Sequence, residues 1–369
     1  MKHQSESSRS HIWQSVAQPA FLLATIALLT AAAFHSAMAA PKVDERLIVP
    51  VIMSNEWGGS WHRVGNEVNE IDKFYSVARC DVYGEDDQVD SYMLAGSDLG
   101  IYSMTNPSTN WIPEQEGISA SPTVVTFVPG RCTQAYATLL GRGVWRGDYS
   151  DSAPKGWTWV RVDKDAQLAA ARSVAIVHVS GETFNIYVAG DFGVMWLAQL
   201  PTTPQTWQAT NLTSQTTSLT TDGSMLASVW NNGIHTRVGN GVWSLLGAGS
   251  PADKLIYEAV FDGAVGVAGT QSGAFRWAGS DWQRVASIDQ TTFSVALSDL
   301  GLFVGQRAAG VYVSSDGGVK WSPLNRGLLG IGGSTFQVRD LRVHPDNERT
   351  PSCLYAATTT GIWQWGDCP

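Results

Sequence analysis

Seven times along this chain a short apolar run is followed by a polar turn, a glycine and a second apolar run. The copies read "YMLAGSDLGIYS" (92–103), "AYATLLGRGVWR" (135–146), "IYVAGDFGVMWL" (186–197), "MLASVWNNGIHT" (225–236), "VGVAGTQSGAFRW" (265–277), "LFVGQRAAGVYV" (302–313) and "LYAATTTGIWQW" (354–365). Their glycines are Gly100, Gly143, Gly193, Gly233, Gly273, Gly310 and Gly361, spaced 37 to 51 residues apart. Alternating β-branched and aromatic residues mark both runs as strands, and the glycine permits the reversal between them. A lone hairpin cannot bury its apolar face, so units repeating at this period must stack on one another.

Two further elements extend each unit. A Trp opens another strand-like segment after most hairpins, at Trp111, Trp159, Trp207, Trp243, Trp282 and Trp321, several of them in a W-x-x-[VL] pattern. Ahead of the hairpins lie apolar segments such as "VVTFV" (124–128), "VAIVHV" (174–179), "FSVAL" (293–297) and "VRDLRV" (338–343). Four strands per unit at this period describe the blade of a β-propeller. The seventh unit ends at "GIWQWGDCP" without a Trp-led strand, while "SNEWGGSWHRV" (54–64) carries one, with Trp61 and Val64, at the front. The expected fold is all-β: a seven-bladed propeller closed by an N-terminal strand that completes the last blade. Such closure removes the open edges of an all-β protein. A pair of β-sandwiches would explain neither the period nor the displaced strand.

The first 39 residues read separately. Lys2 and Arg9 precede "AFLLATIALLTAAAF" (20–34), and Ala37-Met38-Ala39 supplies a small-x-small cleavage pattern. These features predict a cleaved export signal (1–39) and one propeller domain (40–369), with an uncleaved anchor as the alternative. The apolar run is shorter than the roughly 20 residues of a spanning helix, so no membrane span is expected after cleavage. The net charge is −9, and −10 without residues 1–39, which argues against nucleic acid and anionic lipid as partners. Cys80, Cys132, Cys353 and Cys368 form an even set without CxxC spacing, which favours disulfides over metal in a secreted or periplasmic protein. Cys353–Cys368 would close a short C-terminal loop and Cys80–Cys132 would pair the remainder; four free thiols are the alternative.

One turn stands out. In "VYVSSDGGVKW" (311–321), Ser314-x-Asp316-x-Gly318-x-x-Trp321 follows the third strand of the sixth unit. Ser and Asp side chains there can accept backbone N–H bonds, Gly317 and Gly318 allow positive φ, and Trp321 can pack between blades. The motif resembles the Asp-box of the BNR repeat families, found in sialidases, sortilin-type receptor propellers, xyloglucan-cleaving glycosidases and photosystem II assembly-factor propellers. "SNEWGGSW" is a degraded copy that lacks the Asp. The resemblance implies a structural role for the box, away from the central mouth.

Ligands of propellers usually meet the turns between second and third strands. Here those turns supply Asp98, Arg142, Asp191, Trp230, Asn231 and Arg307, with Asn232, Gln271 and Thr360. Carboxylates, guanidiniums, an aromatic ring and amides would suit a sugar or a peptide segment, although the same residue types also suit plain turns. The expected function is therefore an exported, non-enzymatic binding or assembly module for a protein or glycan partner. The alternative is a glycoside hydrolase of sialidase-like type using Asp98 and Asp191 across the mouth. Two mouth arginines rather than three, and "ERLIVP" (45–50) in place of an Arg-Ile-Pro start, depart from the sialidase pattern. No GxSxG, HExxH, GxxxxGK[ST] or EF-hand loop occurs, and neither metal nor cofactor is expected. "GEDDQVD" (84–90) reads as a solvated insertion, and the Thr-rich run 200–223 as an exposed interblade connection around a Trp207 strand.

Overall fold

The computed structural model describes residues 59–65, 73–84, 89–105, 110–114, 122–153, 156–221, 225–237, 242–247, 251, 255–328, 336–344 and 353–366. The predicted signal (1–39) and Cys368 lie outside them. Seven four-stranded antiparallel sheets are present, six of them built from consecutive strands. Their innermost strands are Phe74–Tyr83, Pro122–Val128, Ala171–Ser180, Thr216–Thr220, Ile256–Phe261, Thr292–Ser298 and Val338–His344, which open blades 1 to 7. Each innermost strand touches those of the blades before and after it, and Val338–His344 touches Phe74–Tyr83. The ring is closed, and the chain is a seven-bladed β-propeller.

Closure uses the expected segment. Trp61–Arg63 pairs with Gly361–Trp365 in the register Trp61 to Trp365, His62 to Gln364 and Arg63 to Trp363. Blade 7 therefore holds three strands from the end of the chain and its outermost strand from the beginning.

The core is divided among the joints. Seven buried apolar clusters occur, each drawing on two neighbouring blades. The W-x-x-[VL] pattern serves this division. Trp61, Trp282 and Trp321 pack back against the preceding blade, whereas Val64, Val285 and Leu324, three residues on, pack forward against the next. The indole N–H of Trp61 donates to Leu324 O (2.6 Å), that of Trp111 to Val64 O (2.9 Å) and that of Trp282 to Leu246 O (3.2 Å). Each of these carbonyls lies where the preceding blade's outermost strand ends, so the indoles join blade to blade at the rim.

The repeated glycines have a common geometry. All seven that open third strands have positive φ, from 75° at Gly233 to 137° at Gly100. Close approach adds to this at Gly143 and Gly310, where a Cβ would fall 2.3 Å from Asp163 Oδ2 and 2.2 Å from Asn325 Oδ1. Those same oxygens accept the next residue's N–H, from Val144 (2.7 Å) and Val311 (2.8 Å). The turn is thus pressed against the connection leaving its own blade, and a side chain has no room there.

Two details differ from the expectation. The outermost strand of blade 2 opens at Trp157, two residues before Trp159. The Thr-rich run is only partly connection, because Thr216–Thr220 is the innermost strand of blade 4, with Thr216 and Thr220 buried. β-Branched threonines suit a strand, and their hydroxyls find backbone acceptors: Thr216 donates to Ser214 O (2.9 Å) and Thr220, across the joint to blade 5, to Ala259 O (2.6 Å). A 3-10 turn at Ala166–Ala170 is the one helical element among the described residues, and no helix there is long and apolar enough to cross a membrane.

The Cys80–Cys132 disulfide joins the innermost strand of blade 1 to the second strand of blade 2 (Cα–Cα 5.2 Å). Cys353 is also disulfide-bonded, and no free cysteine occurs among the described residues.

Candidate binding mouth

A bulge is repeated around the ring. In every innermost strand the register to the second strand shifts at the second residue, so that residue is skipped. Bulges re-aim side chains. Here the skipped Tyr75, Arg172, Thr217, Tyr257, Phe293 and Arg339 line one chamber of about 560 Å³ around the axis. The sequence shows this as aligned tetrads: "FYSV" (74–77), "ARSV" (171–174), "TTSL" (216–219), "IYEA" (256–259), "TFSV" (292–295) and "VRDL" (338–341). The second letter faces the channel and varies; the third is Ser, Glu or Asp.

Three of the third residues, on blades 3, 5 and 7, tie their blade to the next. Asp340 Oδ2 accepts Val77 N–H (3.0 Å), Ser173 Oγ accepts Leu219 N–H (3.0 Å) and Glu258 Oε2 accepts Val295 N–H (3.1 Å). In each case the acceptor serves the apolar fourth residue of the next blade's tetrad. Innermost strands have no fifth strand to pair with, and a buried N–H without an acceptor is costly, so the side chain substitutes for one.

The turns between second and third strands stand around the same end of the channel. Backbone N–H groups of Asp98, Trp230, Gln271, Arg307 and Thr359 donate to Lys73, Gln215, Leu255, Thr291 and Gln337, the residues just ahead of their own innermost strands. The mouth therefore has an outer ring of turns and an inner ring of bulge residues.

Within the inner ring, the Arg339 guanidinium lies between two aromatic faces, 4.5 Å from the Phe293 ring centre and 5.4 Å from that of Tyr75. Tyr257 meets Phe293 edge-on at 4.9 Å. Burial lowers the Arg339 pKa; Tyr75 and Tyr257 oppose that shift, and the nearby Arg307 charge reinforces it. Its Nε is buried without a hydrogen-bond partner. Arg172, by contrast, is paired: Asp191 Oδ1 accepts from Arg172 Nε (3.1 Å) and from Gln215 Nε2 (2.8 Å).

A cross-channel ion pair lies below. Arg342 in blade 7 reaches Asp340 (3.0 Å) and, past blade 6, Glu258 in blade 5 (3.2 Å). Arg342 borders both the upper chamber and a lower one of about 740 Å³. In the lower chamber Arg79 is bound to both oxygens of Asp81 (2.9 and 3.0 Å), to Ser91 and to the Tyr355 hydroxyl. His344 Nε2 stands 2.8 Å from Asp81 Oδ2, at ion-pair distance but off the line of a hydrogen bond. Burial alone would raise the Asp81 carboxyl; His344 and Arg79 outweigh it and hold it at about 2. Burial likewise pushes the Tyr355 hydroxyl up to about 12.

Of the residues singled out from the sequence, Trp230 lines the upper chamber. Asp98 accepts the Lys73 N–H (3.2 Å), Asp191 is engaged as described, and the Arg142 carbonyl accepts the Trp145 indole N–H (3.1 Å). Asn231 takes a positive φ of 53° as a turn residue, and Arg307 bridges to Gln337 through its backbone. The six bulge residues were missed. In the sixth blade, Ser314 Oγ donates to Asp316 Oδ1 (2.9 Å) and accepts Gly318 N–H (2.9 Å). Asp316 Oδ1 further accepts the N–H groups of Val319 (3.0 Å) and Lys320 (2.8 Å), and the Trp321 indole donates to Gly318 O (2.9 Å). No cluster of three or more His, Cys, Asp or Glu suited to a metal occurs among the described residues.

No protein-family model and no curated protein matches this chain. Solved structures do. YCF48 from Cyanidioschyzon merolae is similar at 13% identity with a TM-score of 0.57, over 83% of this chain and 98% of that one. The extracellular domain of a putative one-component system from B. thetaiotaomicron is similar at 15% identity and TM-score 0.55, over 83% of this chain. A second such domain, of a putative hybrid two-component system from B. thetaiotaomicron, is similar at 12% identity and TM-score 0.56. The chain spans about 40% of the length of those extracellular domains. At these identities the likeness is one of fold.

Proposed function

We propose that this protein is an exported binding or assembly module that receives a protein or glycan partner at the mouth ringed by its second-to-third-strand turns. The observation that carries this reading is the sevenfold bulge, which turns six described side chains, cationic, aromatic and hydroxylic, into one chamber. Ligand sites are concave, largely preformed and lined by aromatic groups with a few placed polar ones, and this chamber has that character. The Cys80–Cys132 disulfide supports an oxidising compartment, as does similarity to propellers described as extracellular domains. The hydrogen-bonded Ser314–Trp321 turn supports assignment to the BNR, Asp-box type, with the box as a structural lock.

The hydrolase alternative rests on Asp98 and Asp191. Both carboxylates accept local hydrogen bonds, and neither lines the upper chamber. Peptide and glycan arrays probed with residues 40–369 test the binding reading. Saturable binding weakened at least tenfold by Trp230→Ala is the expected result. Turnover of a fluorogenic glycoside, abolished by Asp98→Asn or Asp191→Asn, would overturn it.

A further inference from the structure

The mouth is two-sided. On blades 1, 2 and 4 its turns expose Leu99 (55%), Leu140 (48%) and Trp230 (42%). The corresponding turns of blades 5, 6 and 7 carry Gln271-Ser272, Arg307-Ala308 and Thr359-Thr360, with no large apolar side chain. On that polar side stands Arg339, close enough to Arg307 for their charges to oppose each other. The groups acting on the Arg339 charge are Tyr75, Tyr257 and Arg307, and no carboxylate is among them. The acid adjacent in sequence, Asp340, is turned away and bound to Val77 and Arg342.

A half-buried guanidinium that faces aromatic rings but no anion costs stability, which a ligand anion would recover. Its planar fork matches a carboxylate in a bidentate fashion. We propose that the mouth takes an apolar peptide segment bearing a carboxylate, with the carboxylate on Arg339 and the apolar side chains against Leu99, Leu140 and Trp230. The inference rests on the binding reading above and names the chemistry of its partner. An acidic sugar would share the anion, but sugar recognition needs open aromatic faces. Of the rings lining the chamber, Phe293 lies against Arg339 and Tyr257, and Tyr75 lies against Arg339, which leaves Trp230 as the one exposed face for a sugar to stack on. Three exposed apolar side chains, spread from the adjoining blade 1 round to blade 4, give a peptide more to bury than a sugar could use.

The probes are two octapeptide libraries built from Leu, Val, Phe, Ser and Gly, identical except that one carries a single Glu where the other carries Gln. Each is made with a free and with an amidated C-terminus, and uronic-acid oligosaccharides form a third arm. Binding to residues 40–369 is read by fluorescence anisotropy for the wild type and for Arg339→Met, Arg339→Lys and Trp230→Ala. Binders from the Glu or free-carboxylate sets should be at least tenfold tighter than their Gln or amide counterparts, and the two comparisons separate a side-chain carboxylate from a chain terminus. Arg339→Met should erase that preference while leaving the melting temperature equal or higher; Arg339→Lys should restore part of it. Binding by Gln and Glu, amide and acid sets alike, still weakened by Trp230→Ala, overturns the carboxylate inference and leaves the mouth as a site. Uronic-acid binding without peptide binding overturns it in favour of a glycan. Failure of all three arms, or binding insensitive to Trp230→Ala, overturns the mouth reading with it.

Discussion

Val77 N–H donates to Asp340 Oδ2 across 3.0 Å, and the two residues belong to the first and last blades of the ring. Asp340 also anchors Arg342 at 3.0 Å, so one carboxylate joins the closing blades and holds the cross-channel ion pair. Asp340→Ala removes a carboxylate acceptor from a buried N–H and breaks the ion pair between Asp340 and Arg342. The expected loss is about 2–4 kcal/mol in urea unfolding, with faster hydrogen exchange at the Val77 amide. An unchanged exchange rate would show that the amide had found another acceptor.

The disulfide acts at the next joint. Cys80 and Cys132 are 52 residues apart in sequence. A cross-link closing a loop of that length restricts the unfolded chain by roughly 4 kcal/mol in the chain-entropy account. Dithiothreitol should lower the urea midpoint of the wild type accordingly. The Cys80→Ser/Cys132→Ser variant should start below the oxidised wild type by that amount, and any further fall in dithiothreitol should be that of the Cys353 bond alone.

Two glycines separate backbone conformation from crowding. Gly130 and Gly143 both have positive φ, 73° and 82°, but a Cβ at Gly130 meets nothing within 4 Å whereas one at Gly143 would strike Asp163. Gly130→Ala should cost about 1 kcal/mol, the strain of a left-handed alanine. Gly143→Ala should cost at least about 3 kcal/mol, since Asp163 must also move and release the Val144 N–H. Equal losses in chemical denaturation would refute the crowding account of the repeated glycine.

Acid should loosen the joint between blades 1 and 7. The Asp81 carboxyl sits at about 2 in the folded protein, against an ordinary 3.8. A carboxyl lowered by folding stabilises while ionised, so its contribution is complete above the unfolded value and is lost as pH falls through about 2. The contribution is roughly 2 kcal/mol, declining between about pH 4 and pH 2. Urea midpoints measured across that range should fall for the wild type. Asp81→Asn should start lower at neutral pH, with the Arg79–Asp81 ion pair lost, and show a flatter acid decline.

Much of the ring was legible in the sequence because its constraints act on backbone geometry. A residue that must take positive φ against a neighbouring connection has to be glycine, so Gly143 and Gly310 repeat without variation. The W-x-x-[VL] pattern survives because its two apolar residues serve successive joints, as Trp61 and Val64 do. The inner ring was not legible by the same search. Tyr75, Arg172, Thr217 and Phe293 occupy one structural position yet range from aromatic ring to guanidinium to hydroxyl, because an open chamber sets no common shape for them. The signal lay one residue later, in the Ser, Glu or Asp that recurs in six of the seven innermost strands and, at Ser173, Glu258 and Asp340, ties one strand to the next. The Thr-rich blade 4 strand escaped for a related reason: its burial is satisfied through hydroxyl bonds rather than apolar side chains.

The pairing of Trp61–Arg63 with Gly361–Trp365 fixes an order of events. A ribosome releases residue 61 long before residue 365, so Trp61–Arg63 must wait for the strand it pairs with. Blades 1 to 6 can form as they emerge, but the circle locks only when Gly361–Trp365 arrives. A chain cut short before Gly361 would keep the sheets of blades 1 to 6 and lack the strand on which Trp61–Arg63 fastens the circle.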